Sequence, residues 1–114
     1  MSENSMERAY LGVKYVTITA DVSKEHNLPV RKGAYITDDS GASGKAVVKG
    51  GPADKAGIRD GDIVLRVNDI EVGARGSILS LVGEYMVGET VRMSILRNGA
   101  EIDIDVVLGA YPED

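Results

Sequence analysis

Asp39-Ser40-Gly41 has the residue types found around a serine nucleophile, so acyl transfer is the first chemistry to test. Such a serine needs a positioned base and an oxyanion hole. The single histidine, His26, lies in the polar stretch DVSKEHN, and no second glycine follows Gly41. Serine in a Gly/Asp/Ser loop is ordinary turn chemistry. SGASGK resembles the end of a phosphate-binding loop, yet the first glycine of that pattern would fall at Asp39, and Ala46 stands where Ser or Thr is required. Asp38, Asp39, Asp60 and Asp62 sit in turns without the alternating spacing of a calcium loop. One histidine and no cysteine leave no transition-metal set and no disulfide. The residues call for no cofactor and no metal, and catalysis is the weakest class of function for this chain.

Whatever the chain does, one small scaffold must position it. The 114 residues suit a single domain, and 43% apolar with 27% charged residues is a globular balance. With no Phe or Trp and five Tyr, the core must be aliphatic. A net charge of -5 with scattered Lys and Arg argues against nucleic acid, and no apolar run approaches a membrane span, so no direct membrane insertion is expected. Residues 1–7 lack the basic start and apolar stretch of a leader and read as a linker, residues 8–108 as the domain, and residues 109–114 as a tail.

Tyr10 to Thr19 is rich in β-branched and aromatic residues and predicts a strand. DVSKEHNL predicts a short helix with Asp21 as candidate cap, ending before Pro29. Gly33 to Thr37 and Ala46 to Lys49 predict short strands on either side of the loop 38–45. Pro52 suits a first helical position and Gly57 the residue past a last turn, giving a helix of barely two turns. Ile63, Leu65 and Val67 alternate toward one face, and Asn68-Asp69 turns the chain back into Ile70 to Val72. Ile78, Leu81, Val82 and Tyr85 recur at helical steps after a cap at Gly76 or Ser77. Two alternating runs flank Asn98-Gly99, a strong hairpin signal.

YLGV near the start, GGPADKAGIRDGDIVLRVND in the middle and VGETVRMSILRNG toward the end together resemble the PDZ domains of HtrA-type, DegP-like bacterial serine proteases, over about residues 8 to 108. The most specific part is Pro52-Ala53, then Ala56-Gly57-Ile58 and Gly61-Asp62-Ile63, in that order and spacing. The resemblance implies an α+β fold: a partly open β-sandwich or barrel of five to six strands, capped by two to three short helices. It also implies the bacterial circularly permuted topology, with Glu101 to Leu108 taking the sheet position held elsewhere by an N-terminal strand.

The resemblance further implies a module that binds apolar C-terminal or extended polypeptide segments by strand addition, as the substrate-recognition or regulatory domain of an HtrA-like serine protease. Tyr10, Leu11, Gly12 and Val13 match the family's carboxylate-binding loop, and Lys14, Tyr15, Val16 and Thr17 its groove strand. Leu11, Val13, Ile78 and Val82 would wall the hydrophobic pocket for the ligand's last side chain, with Leu81 turned to the core. Arg8 would add positive potential. The expected partners are C-terminal or unfolded segments and, in a longer protein, a protease domain, and the expected compartment is the bacterial envelope or periplasm.

Two features depart from the family: the long polar connection from Asp38 to Lys45, and Gly51 where Ser often precedes Pro-Ala. Two other readings stand beside the first. One is a PDZ domain of a C-terminal-processing or intramembrane protease. The other is an inter-subunit contact module.

Overall fold

The computed structural model describes residues 9–37, 46–73 and 76–110. Arg8, the Asp38 to Lys45 connection with Ser40, and the tail from Tyr111 lie outside them. Among the described residues eight β segments and three short helices follow in order: β1 (Ala9–Tyr10), β2 (Tyr15–Thr17), α1 (Ala20–Glu25), β3 (Ala34–Ile36), α2 (Pro52–Ala56), β4 (Ile63–Val67), β5 (Ile70–Glu71), α3 (Ile78–Val82), β6 (Thr90–Arg97), β7 (Ala100–Val107) and β8 (Gly109–Ala110). One antiparallel sheet runs β2-β3-β4-β6-β7, with β5 also on β4, and β1 pairs separately with β8. Among the described residues the expected five to six sheet strands and two to three short helices are therefore present at their upper numbers, with the β1–β8 pair added.

Local chemistry accounts for most element ends. Thr19, not Asp21, caps α1: its hydroxyl accepts from the Val22 N–H at 3.2 Å, which leaves Asp21 in the first turn, where a carboxylate favours the helix dipole. Gly57 closes α2 at φ 97, the left-handed cap that glycine adopts without a Cβ penalty. Gly51 supplies no cap side chain; instead Asp54 reaches back to the Gly50 N–H at 2.8 Å. Both hairpins turn on two residues of positive φ, Asn68-Asp69 and Asn98-Gly99, the geometry that matches strand twist.

Three expectations need correction. Ala46 to Lys49 is no strand: only a bridge between Val47 and Val13 forms. The regular alternation in β4 fails because the β4–β6 register shifts between Val64 and Arg66. That bulge buries Val64 and Val67 and leaves Leu65 half-buried. The helix of α3 stops at Val82, so Tyr85 lies beyond it, half-buried, its hydroxyl 3.1 Å from the Asn68 amide nitrogen.

The core is aliphatic as composition requires, with Leu11, Ile36, Val64, Val67, Ile78, Val82, Met93 and Ile95 among its fully buried members. On the opposite face of the sheet a polar row runs across the strands: Ser94 with Asp103 and Arg92 with Asp105 join β6 to β7, and Arg66 of β4 reaches over β6 to Glu101 of β7.

Candidate functional site

A strand in the middle of a sheet spends its N–H and C=O groups on two neighbours; β2 has one. Its register with β3 pairs Tyr15 with Ile36, Val16 with Tyr35 and Thr17 with Ala34. The flanking bonds, Thr37 N–H to Lys14 O and Ile18 N–H to Gly33 O, fix which residues face β3. These are Lys14, Val16 and Ile18, since antiparallel bonding alternates along the strand. The backbone groups of Tyr15 and Thr17 therefore point along the other edge, where no strand among the described residues pairs with β2. An edge of this kind is a template for an added strand.

The segment preceding β2 is asymmetric in its hydrogen bonding. Its carbonyls are used: Leu11 O accepts from the Ala53 N–H at 2.9 Å and Gly12 O from the Val48 N–H at 2.9 Å. Its donors are not: the N–H groups of Leu11, Gly12 and Val13 give no backbone hydrogen bond among the described residues. Leu11 is 1% exposed and Gly12 is buried as well. Buried N–H groups are nearly always paired, and leaving one unpaired costs about 1–3 kcal/mol. Two such donors, followed by that of the half-buried Val13, make a site for an acceptor, best of all an anion.

Gly12 produces this geometry. Its φ of +83 turns the chain between the Ala53 and Val48 contacts, and a Cβ there would lie 3.3 Å from the Tyr10 ring, which covers that side. Immediately after the turn, Val13 bridges to Val47 and the Lys14 N–H donates to Ala46 O at 2.6 Å. One ladder thus continues from β3 into residues 46–48, with residues 38–45 inserted between its halves.

The pocket residues are placed differently from one another. Ile78, Val82 and Leu11 are 0%, 1% and 1% exposed and share one cluster with Leu81, while Val13 and Tyr15 pack on it half-buried. The α3 side chains thus form a closed floor, and Val13 and Tyr15 are the members a ligand can reach. Lys14 and Thr17 are exposed and Val16 is half-buried.

Sequence reading missed a polar clamp that ties the α2–β4 turn to the end of β6. The buried Asp62 carboxylate accepts Arg97 Nε at 2.9 Å, Arg97 Nη2 at 2.6 Å and the Arg59 N–H at 2.8 Å. Arg97 Nη2 also donates to Gly57 O at 2.7 Å. The hydrogen bond to Asp62 pushes the Arg97 guanidinium above its ordinary value, against a smaller opposing effect of burial. The Gly61-Asp62-Ile63 match marked the carboxylate, but nothing local pointed to a partner 35 residues away.

Among the described residues no group of three or more His, Asp or Glu side chains converges to hold a metal. His26 instead lies with its ring centroid 5.3 Å from that of Tyr35.

The PDZ domain family model matches residues 9–108. A relative from Hahella chejuensis, named probable periplasmic serine endoprotease DegP-like, is 33% identical over 110 residues, covering 96% of this chain and 22% of its own length. The chain thus spans about a fifth of that relative. Among solved structures, the HtrA-type protease AlgW with decapeptide superposes with a TM-score of 0.73 at 24% identity, over 95% of this chain and 31% of that one. The HtrA3 PDZ domain bound to a phage-derived ligand (FGRWV) superposes with a TM-score of 0.70 at 19% identity, over 92% and 88%. At those identities the two likenesses speak for the fold.

Proposed function

The chain belongs to the PDZ domain family, and on that premise we propose that it binds the C-terminus of another polypeptide as a strand added to the open edge of β2. The observation that carries this reading is the run of three N–H groups, Leu11 to Val13, two on buried residues and one on a half-buried residue, with no backbone acceptor among the described residues. A terminal carboxylate satisfies all three, while the residues before it pair with the backbone of Tyr15 and Thr17. Its last side chain lies against Val13 and Tyr15, above the floor made by Leu11, Ile78 and Val82. An apolar residue suits that surface. Arg8, two residues before Tyr10 in the sequence, is proposed to add positive potential.

Within a longer protein, the domain selects substrate or regulates an HtrA-like serine protease in the periplasm, in keeping with the naming of its relatives. It touches the protease domain and supplies none of its catalytic groups. Domain limits of 8–108, with residues 1–7 as linker and 109–114 as tail, go with this reading.

The test compares a peptide ending in Val, Leu or Phe with the same peptide amidated, by titration calorimetry at low salt. Amidation leaves the strand pairing and side chain intact and removes only the charge. A charge-assisted hydrogen bond contributes about 1.5–3 kcal/mol, so the acid should bind more than about tenfold better. Equal affinities would refute carboxylate capture.

A further inference from the structure

A cleft of about 680 Å³ opens between α2 and the end of the chain running from β7 into β8, a size within the range of ligand sites. Its apolar surface comes from Tyr10, Val48, Pro52, Ala56 and Val107. Val48 is 39% and Val107 59% exposed, high values for valine in an otherwise well-buried aliphatic set. Lys49 and Lys55 also line the cleft, both exposed and neither in an ion pair among the described residues. Asp105, on the same wall, is engaged with Arg92 at 3.5 Å. The cleft therefore offers an apolar floor and two uncompensated positive charges, and Ala110 is part of its lining.

We propose that the cleft is the docking site of the chain's own segment Tyr111-Pro112-Glu113-Asp114. This segment follows Ala110 directly and has the complementary chemistry: a ring and a proline for the floor, and two carboxylates for the two lysines. Reach is sufficient, because four extended residues span up to about 14 Å and the cleft begins at Ala110 itself. Covalent tethering puts the segment at an effective concentration in the millimolar range, so contacts too weak to hold a free peptide suffice. Neither β2 nor the Leu11 to Val13 donors take part, so this docking stands apart from the peptide-binding reading.

The experiment is methyl and aromatic NMR on the full 114-residue chain. Nuclear Overhauser contacts between the Tyr111 ring and the Val48 or Val107 methyls are expected. They should weaken at least twofold in Lys49→Glu/Lys55→Glu and equally in Glu113→Lys/Asp114→Lys. They should return when the two pairs of reversals are combined. All four positions are surface or tail residues, and a preserved amide spectrum verifies folding. Absence of the contacts in the unaltered chain, or contacts indifferent to both reversals, would overturn the proposal. So would contacts that fade on dilution and reappear between differently labelled molecules, since those belong to a second copy.

Discussion

Replacing Gly12 by alanine tests whether a backbone conformation, rather than a side chain, makes the donor site. At φ +83 an L-residue is strained by about 1–2 kcal/mol, and the new Cβ meets the Tyr10 ring at 3.3 Å, a contact a small ring shift relieves. Gly99→Ala is the matched control: its φ is +81, nothing lies within 4 Å of the added Cβ, and it sits in the β6–β7 hairpin turn. Both variants should therefore lose about 1–2 kcal/mol in urea unfolding, a loss that a domain with about 5–15 kcal/mol of stability survives. Binding should separate them. Alanine relieves its strain by rotating toward negative φ, which turns the Gly12 and Val13 N–H groups away from the ligand. Losing even one charge-assisted bond costs about 1.5–3 kcal/mol, or about ten- to a hundredfold in affinity. Calorimetric titration with an apolar-ended peptide should show that loss for Gly12→Ala and none for Gly99→Ala. If both variants bind as the parent does while losing stability equally, the Leu11 to Val13 donors are not the carboxylate site.

Three further outcomes are expected. Thr17→Pro removes an N–H that faces the open edge and leaves the β3 ladder whole, so peptide affinity should fall about tenfold with little change in the urea midpoint. Val16→Pro strikes the ladder instead and should lower both, and identical behaviour of the two would place the edge assignment in error. Arg97→Met strands the 3%-exposed Asp62 carboxylate and should cost about 3–5 kcal/mol in denaturant unfolding, whereas a loss under 1 kcal/mol would show the clamp to be incidental. Val82→Lys puts an unpaired charge into the core and should unfold or grossly destabilise the domain by circular dichroism. A native-like Val82→Lys that merely binds peptide poorly would mean that Val82 faces an open groove.

What the amino-acid order revealed follows how local each determinant is. The turns were legible because Asn98-Gly99 and Asn68-Asp69 carry their preference for positive φ within two residues. Pro52 and Gly57 likewise mark the limits of α2 without outside help. Gly12 could be singled out, but its donor role depends on Ala53 and Val48 taking the neighbouring carbonyls, contacts some 40 residues distant that spacing does not disclose. Helical periodicity put Ile78 and Val82 on one face yet could not say whether that face meets ligand or core. The packing answers with core. The β4 bulge was invisible for a related reason: Leu65 has the residue type of an inward position, and only pairing with β6 shifts the register past it. Thr19 lost to Asp21 as the expected cap because both are good caps and two residues apart, a distance within which helix ends are not resolved by residue type.

The pairing of β1 with β8 has a mechanical consequence. Ala9 lies opposite Ala110 and Tyr10 opposite Gly109, so the two ends of the described chain run out side by side from the same end of the pair. Tension applied through both ends loads those bonds one after another, as a zipper is loaded, instead of sharing the force in shear as the long β6–β7 ladder would. The pair is two positions long and peels first. Inward of the pair lie Leu11 and Gly12 on one side and Leu108 and the end of β7 on the other, so a pull reaches the turn that presents the donors as soon as it reaches the edge of the six-stranded sheet.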